Sequence, residues 1–499
     1  MGLTCSDRNA GRTRLAGVSS PAAHPDRLLP PDPTVRAIAR ELYDGVRSLP
    51  IISPHGHADP AWFATDDPFP DPARLLVTPD HYLVRMLYSR GVPLAALGIG
   101  PDAEADPRRI WRTFADHVHL FRGTPSGYWL DATLVDLFGL TDGLSPTTAD
   151  DTYDAIASAL ASDGFGPRAL FDRFDIELLA TTDGSGADLA DHDAIHASGW
   201  DGVVVPTFRP DDVVDPDHPR YAEATARLAE LTGEDVDDWA GFLAALRTRR
   251  AEFAARGATA TDHGHPTPHT ADLAPAEAER LHRRVRAGGA DAAERETYRG
   301  QLLTELAAMS LDDSLVLQIH PGSWRNHNRA LFERIGPDVG ADIPRPVDFV
   351  GGLHALLNRF GNEPELTIVA FTLDESTYSR ELAPLAGHYP ALRLGAPWWF
   401  HDSPEGMRRH RLATIETAGF ANTVGFTDDT RAFLSVPVRH DMARRVDAGI
   451  LAGLVAEHRL GLDDAHDVAR LLARGLAHEA YRVDDAVAAV RAARIPTDG

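Results

Sequence analysis

The chain has 499 residues, enough for one large barrel domain with insertions, and its 43% hydrophobic and 25% charged residues are an ordinary globular balance. The 49 basic and 74 acidic residues give a formal net charge of −25, which disfavours nucleic acid and anionic membranes as partners. The single cysteine, Cys5, excludes an intramolecular disulfide framework and a cysteine-rich zinc site, so we expect a cytoplasmic protein.

The N-terminal residues 1–33 are rich in Arg, Pro and Ala and contain no apolar run of signal-peptide length. We expect a flexible N-terminal extension there, followed by one domain over residues 34–499. Every basic residue is an arginine, because the chain has no lysine. A lysine Schiff base, a P-loop lysine and a carbamylated lysine that bridges two metals are therefore excluded, and we expect no nucleotide cofactor.

Eight short apolar runs end in polar residues, and several are apolar on both faces, as in parallel strands covered by helices. Helical patterns lie between them at residues 221–231, 239–256, 276–286 and 407–418. Strands that alternate with helices predict an α/β fold, a (β/α)8 TIM barrel. The predicted strands are 49–53, 177–181, 202–207, 257–261, 315–319, 366–371, 392–396 and 422–426.

The widest gap between predicted strands follows the first one and contains helical patterns near residues 80–91, 106–118 and 147–162. We therefore predict a helical insertion over about residues 60–175, above the barrel mouth. After Arg431 the chain has helical patterns to its end. The expected fold is thus a distorted barrel with a helical insertion after the first strand and C-terminal helices.

Two histidines, His55 and His57, follow the first predicted strand. Strand residues two apart face the same side, so both imidazoles converge on one point, which suits a divalent metal. Asp429 is the natural third ligand, because the first and last strands of a closed barrel are neighbours, and Asp428 is the competing choice. The alternative is a pair of hydrogen-bonded histidines and an aspartate that caps a helix.

Three arginines that follow predicted strands, Arg209, Arg325 and Arg431, are candidates to bind a carboxylate, since guanidinium groups make paired planar hydrogen bonds to it. The alternative is a salt bridge from each to one of the many acids. Trp398 and Trp399 are candidates for a sugar-binding wall or for core packing.

Four further polar residues are candidates for acid–base work. His81 and Tyr82 lie in the insertion, where a lid would exclude water from a bound substrate; the alternative is an ordinary helix start capped by Asp80. His263 and His320 are possible further ligands or acid–base groups, and the alternative for each is a hydrogen-bonded histidine in a polar loop.

The segment Pro50-Ile-Ile-Ser-Pro-His-Gly-His57, followed by Asp80-His-Tyr82, resembles the uronate isomerases of the amidohydrolase superfamily. The resemblance covers roughly residues 50–445. Further motifs match in the family's order: Thr181-Thr-Asp183 with His192, Val205-Pro-Thr-Phe-Arg-Pro-Asp211, Thr261-Asp-His-Gly264, Gln318-Ile-His-Pro-Gly-Ser-Trp-Arg-Asn326, Trp398-Trp-Phe400, Thr427-Asp-Asp-Thr-Arg-Ala-Phe-Leu-Ser435 and Arg439-His440.

The resemblance implies an aldose–ketose isomerase of hexuronates, acting on D-glucuronate (to D-fructuronate), D-galacturonate (to D-tagaturonate) or both. It implies one divalent metal, Zn²⁺ first and Mn²⁺ or another ion as alternatives, held by His55, His57 and Asp429. The partner is a small sugar acid, and a homo-oligomer is compatible with the sequence. The resemblance also implies that the substrate site is lined by His81, Tyr82, Arg209, Asp262, His320, Arg325, Trp398 and Arg431.

The chemistry expected from this resemblance is proton transfer through an enediol, with Asp429 as the leading base and Asp262 as the second candidate. Hydride transfer is the alternative route. The sequence departs from the family at Ser53-Pro54 and at Gly56, which predicts a divergent subgroup with a shifted substrate. Two competing functions are a mononuclear metal hydrolase of the same superfamily, acting on a lactone, amide or ester, and a non-catalytic barrel that binds sugar acids.

Overall fold

The computed structural model describes residues 20–494. Residues 1–19 of the predicted N-terminal extension lie outside the described residues. The remainder is anchored by ion pairs, because Arg27 lies 2.6 Å from Asp136 and 2.9 Å from Asp441, on two different helices. This part of the predicted extension is thus attached to the domain.

The strands form the predicted parallel barrel. Each pairs in parallel with the next, directly or through a two-residue continuation. The continuations, Asp183–Gly184 and Phe208–Arg209, follow the second and third strands and pair with each other. The barrel strands are β1 (Ile51–Ser53), β2 (Ile176–Ala180), β3 (Val204–Val205), β4 (Ala260–His263), β5 (Val316–Ile319), β6 (Ile368–Ala370) and β7 (Leu392–Leu394).

The eighth predicted strand, at residues 422–426, is reduced to one parallel bridge between Thr423 and Leu394. Gly425 has φ 77° and interrupts the extended backbone there. The barrel seam is nevertheless closed on the site side, where the His57 N–H donates to the Thr430 carbonyl at 3.0 Å. The last strand's loop therefore lies against the end of β1, as a closed barrel requires.

The strand sequences alternate between two apolar layers. In β5, Val316 belongs to the cluster inside the barrel, whereas Leu317 and Ile319 belong to the cluster between the barrel and its outer helices. Side chains of a strand point alternately to opposite faces, and both faces are covered here. This double burial explains why the strands read as continuous apolar runs. A small antiparallel pair, Ser323–Trp324 with Ile343–Pro344, lies outside the barrel.

The insertion between β1 and β2 is helical, as predicted, and packs around a buried cluster that includes Trp111 and Phe114. The helix that carries His81 and Tyr82 begins at a side-chain cap, because Asp80 accepts hydrogen bonds from the N–H groups of Tyr82 and Leu83. The insertion helices are Pro60–Thr65, Pro72–Leu76, His81–Ser89, Pro107–His117, Pro125–Phe138, Ala149–Leu160 and Pro167–Arg173.

Helices cover the outside of the barrel, and the C-terminal helices close its base. Tyr481 reaches into the interior, where its hydroxyl donates to Gln318 of β5 at 3.0 Å. Within residues 20–494 no helix is long and apolar enough to cross a bilayer. The remaining helices are Pro33–Asp44, Ala190–Ala197, Asp211–Val214, Tyr221–Thr232, Trp239–Ala254, Pro275–Arg286, Ala292–Asp313, Arg329–Ile335, Phe349–Gly352, His354–Phe360, Ala383–Ala386, Pro404–Ala418, Val436–Ala456, Leu462–Arg470, Leu476–Ala480 and Val483–Arg494.

Candidate active site

A cavity opens at the carboxyl ends of the strands, roofed by the insertion helix that begins at His81. This is the end of the barrel where such folds carry their chemistry. Eleven of the candidate site residues predicted from the sequence line this one cavity, whereas His263 does not; the eleven are His55, His57, His81, Tyr82, Arg209, Asp262, His320, Arg325, Trp398, Asp429 and Arg431.

The two histidines after β1 converge on a single carboxylate oxygen. Asp429 Oδ1 lies 3.4 Å from His55 Nε2 and 3.1 Å from His57 Nε2. The backbone of Asp429 has φ 40°, in the left-handed region, which aspartate tolerates better than most residues. The turn at the end of the reduced eighth strand thus aims the Asp429 carboxylate at the end of β1.

His320, at the end of β5, belongs to the same group of potential ligands. One ligand atom from each of His55, His320 and Asp429 lies within 4.8 Å of the others. The His320 and His55 rings are stacked with centroids 4.6 Å apart, and the buried His320 Nε2 has no hydrogen-bond partner among residues 20–494. An unpartnered imidazole nitrogen beside a carboxylate fits a divalent cation, so these residues could hold one.

Both carboxylates at the centre of the cavity are held ionised. Burial alone would raise the pKa of Asp429, but His55 and His57 hold it well below its usual value. Burial would likewise raise the pKa of Asp262, and it is overcome by Arg209 and His320. His320 Nδ1 lies 2.7 Å from Asp262 Oδ1, and Arg209 Nη1 lies 3.1 Å from Asp262 Oδ2. Two ionised acids therefore face one cavity.

The three arginines have acidic partners and reach the cavity from different segments of the chain. Arg209 is the innermost, with Nε 2.8 Å from Asp211 Oδ2 in addition to its contact with Asp262. Arg325 and Arg431 are held more loosely, at 3.1 Å from Asp342 and 3.4 Å from Asp338. The latter two side chains are 40% and 43% exposed, so their remaining N–H groups are free to meet a ligand.

A buried hydrogen-bond chain connects the roof to the loop after β7. The Tyr82 hydroxyl donates to Asp402 Oδ1 at 2.7 Å and accepts from the Phe400 N–H at 3.0 Å. Arg439 Nη1 donates to Asp402 Oδ2 at 3.0 Å. His81 and Tyr82 therefore start a capped helix and line the cavity at once, so the two interpretations of these residues are compatible.

Asp402 and Arg439 line the cavity and were not singled out by the sequence. Arg439 lies in one of the family motifs, but nothing in the chain pattern marks Asp402, whose role depends on the packing of the insertion against the β7 loop. Trp398 is buried and meets His320 edge-on at 4.7 Å between ring centroids. Trp399 also lines the cavity and stacks on Phe400.

Three other polar residues at strand ends have different surroundings. Asp428 lines the cavity but pairs with His440 at 3.0 Å instead of the histidines after β1. Asp374 caps a short helix by accepting from the Ser376 N–H. His263 lies outside the cavity, in a group with Asp211 and His265.

A parallel barrel in which the first strand supplies a His-x-His pair and the last supplies an aspartate, under a helical roof, has the architecture of the amidohydrolase superfamily. The family model for glucuronate isomerase matches residues 34–479. The chain belongs to the uronate isomerase family, and it is an isomerase.

Sequence similarity to known uronate isomerases extends along nearly the whole chain. A uronate isomerase of Rhizorhabdus wittichii is 62% identical over 460 residues, 92% of this chain and 98% of the relative. One from Phenylobacterium zucineum is 59% identical over 466 residues, 93% and 97% of the two chains.

Solved structures give the same fold. The crystal structure of glucuronate isomerase from Caulobacter crescentus has a TM-score of 0.91 at 56% identity, over 92% of this chain and 97% of that one. Uronate isomerase from Thermotoga maritima has a TM-score of 0.86 at 26% identity, over 92% and 99%. The predicted family and the predicted barrel are both confirmed, and the hydrolase and the non-catalytic barrel are disfavoured as functions.

Proposed function

We propose that the protein interconverts the aldose and ketose forms of hexuronates, D-glucuronate with D-fructuronate and D-galacturonate with D-tagaturonate. The observation that carries this proposal is one cavity in which His55, His57 and Asp429 meet beside three arginines. The cluster suits chemistry at one end of a sugar, and the arginines suit a carboxylate at the other end.

The residues proposed to hold the metal are His55, His57 and Asp429, with His320 as a further candidate. Imidazole and carboxylate ligands suit Zn²⁺ first and Mn²⁺ second. When bound, such an ion polarises a substrate oxygen and stabilises the negative charge that develops there.

Asp429 is the proposed base, because its low pKa keeps it ionised and its hydrogen-bond partners are imidazoles. It removes the proton from C2 of the aldose, the C–H electron pair forms the C1–C2 double bond, and the C1 oxygen gains a proton. The resulting enediol then takes a proton at C1 and loses the O2 proton, which leaves the ketone at C2. Asp262 is the second candidate, since its charge is already shared with Arg209 and His320.

The hydroxyl proton is proposed to move through His81 or Tyr82. Burial first, and Arg431 second, lower the pKa of His81 to about 4, so its ring is neutral near pH 7 and can accept a proton. The Tyr82 hydroxyl donates to Asp402 and accepts from the Phe400 N–H, which leaves one lone pair to accept from a substrate hydroxyl. The proposed carboxylate ligands are Arg325 and Arg431, with Arg209 deeper in the cavity.

The test is turnover of glucuronate and galacturonate in deuterated water, followed by proton NMR, with Zn²⁺-loaded, Mn²⁺-loaded and chelator-treated protein compared. We expect ketose that carries deuterium at C1, and only with metal. A ketose free of deuterium from both sugars would favour hydride transfer and overturn the enediol step. No turnover of either sugar would overturn the proposed substrates.

A further inference from the structure

A second group of potential metal ligands lies outside the active-site cavity. Asp211, His263 and His265 each offer one ligand atom, and these atoms lie within 4.8 Å of one another. His263 and His265 are 0% and 4% exposed, whereas Asp211 is partly exposed. None of the three is among the described residues that line the active-site cavity. This group needs an explanation separate from the isomerase chemistry.

One side of the His263 ring has a neighbour and the other has none. His263 Nε2 lies 2.9 Å from the hydroxyl oxygen of Thr261, and that hydroxyl lies 3.4 Å from the Val316 carbonyl. In the tautomer with its proton on Nε2, the ring donates to Thr261 and Nδ1 carries a lone pair. His263 Nδ1 is buried and has no hydrogen-bond partner among residues 20–494. A second polar group that orients an imidazole in this way is typical of metal-ligating histidines.

The ring nitrogens of His265 have fewer hydrogen-bond partners than those of His263. Both of its ring nitrogens are buried, and neither has a hydrogen-bond partner among residues 20–494. Buried polar atoms in folded proteins nearly always have partners, so two such nitrogens indicate a ligand that completes the site. The ring lies edge-on to His263, with centroids 5.8 Å apart. Asp211 supplies the carboxylate, held in place by the Gly264 N–H, which donates to both of its oxygens at 3.1 Å.

The surrounding charges also favour a cation. Asp215 and Glu296 add negative charge near His265, and both of these acids also pair with Arg299, which lies 2.7 Å from Asp215. Two imidazoles with one carboxylate are a ligand set that zinc and similar ions accept.

We propose that Asp211, His263 and His265 bind a second divalent cation, of the zinc class, distinct from the ion at the active site. The ion shares Asp211 with Arg209, whose Nε lies 2.8 Å from Asp211 Oδ2. An ion bound to the Asp211 carboxylate weakens the ion pair between Asp211 and Arg209. The Arg209 guanidinium then has more of its hydrogen-bonding capacity free for a ligand in the cavity. The site itself does not depend on the proposed function; only this consequence for Arg209 does.

The test is metal stoichiometry of the full chain, measured by elemental analysis after chelator-treated protein is loaded with Zn²⁺ and desalted. We expect two ions per chain in the wild type, one in His265→Ala and one in the double variant H55A/H57A. Combining all three substitutions should remove both ions. Loading with Co²⁺ gives an independent signal, the visible absorption of the bound ions. In His265→Ala this absorption should fall from that of two sites to that of one.

His282→Ala is the matched control, since His282 is also fully buried but both of its nitrogens have hydrogen-bond partners. It should retain two ions. His265→Gln, with circular dichroism recorded in chelator, serves if the alanine variant fails to fold. One ion in the wild type that is lost in H55A/H57A and retained in the His265 variants would overturn the proposal and leave a water-filled histidine pair.

Discussion

His57 Nε2 lies 3.1 Å from Asp429 Oδ1, so the first strand and the last turn of the barrel meet at one side-chain contact. The backbone makes the same connection, where the His57 N–H donates to the Thr430 carbonyl. Because the contact depends on barrel closure, the positions of these two side chains are coupled to the integrity of the whole sheet. The site is therefore assembled by the fold and not by one local motif.

Asp429→Asn isolates the charge of this contact. Asparagine has the same size and tolerates the left-handed backbone at φ 40°, so the fold should be retained. Loss of the ionised ligand and base should lower kcat/KM by about 10³-fold or more, in line with the loss of a general base. Steady-state kinetics with metal analysis measures both effects.

Asp374→Asn is the matched control, because Asp374 follows β6 but caps a short helix and is not among the described cavity residues. It should keep kcat/KM within about threefold, a change of less than 1 kcal/mol. Equal losses in the two variants would argue that the Asp429 effect is structural.

Gly264→Ala tests how closely the arginines approach the backbone. A Cβ at this position would overlap Arg209 Nη2 and lie 2.9 Å from Asp211 Oδ2, so the guanidinium must move. We expect KM for hexuronates to rise about tenfold, equivalent to about 1.4 kcal/mol, with a smaller effect on kcat. Gly453→Ala, where a Cβ meets nothing within 4 Å, should leave KM unchanged. An unchanged KM in Gly264→Ala would remove Arg209 from substrate binding.

Tyr82→Phe removes one hydroxyl from the chain that joins the roof to the β7 loop. Asp402 would keep Arg439 but lose Tyr82, and the Phe400 N–H would lose its acceptor. We expect a stability loss of about 1–3 kcal/mol, the usual cost of unpaired buried polar groups, measured by urea unfolding. We also expect kcat to fall, because the proposed proton path loses a member.

Tyr378→Phe is the control for that variant, since the Tyr378 hydroxyl is buried with no partner among the described residues. It should be neutral in both stability and kcat. A Tyr82→Phe enzyme with wild-type kcat would leave His81 as the proton carrier.

Asp183 predicts a dependence of stability on pH. Burial, opposed by a hydrogen bond from Thr181, raises the pKa of Asp183 to about 6. A raised pKa means that the folded state favours the protonated acid, so this stabilisation is present at low pH and is lost as the pH rises through about 6. Relative to Asp183→Asn, the wild type should lose about 1 kcal/mol of unfolding free energy between pH 5 and 7.5. Parallel pH profiles for the two proteins in urea would contradict this prediction.

Local patterns in the sequence predicted the parts of the fold that depend on local chemistry. The strand at residues 202–207 was predicted too long, because Pro206 lacks an N–H and ends Val204–Val205; strand pairing resumes beyond the predicted range, at Phe208–Arg209. The strand at 422–426 was also predicted too long, because its apolar residues Val424 and Phe426 flank a glycine with positive φ. Periodicity detects apolar faces but not the backbone donors and dihedral angles that end a strand.

The residues of the candidate site also fall into two groups, those that local spacing predicts and those that only packing brings together. The pair His55 and His57 could be predicted, since their spacing places two imidazoles on one face at the end of a strand. Asp402 could not, because its partners Tyr82 and Arg439 are distant in sequence and meet it only through packing. The group of Asp211, His263 and His265 was missed for the same reason, although His263 itself was noticed.

The central claim is that His55, His57 and Asp429 hold a single cation beside the arginines. An anomalous difference map from crystals of zinc-loaded protein, recorded at the zinc absorption edge, tests it most directly. We predict a peak at about 2.0–2.2 Å from His55 Nε2, His57 Nε2 and a carboxylate oxygen of Asp429. A fully loaded crystal with no peak at these three residues would contradict the account.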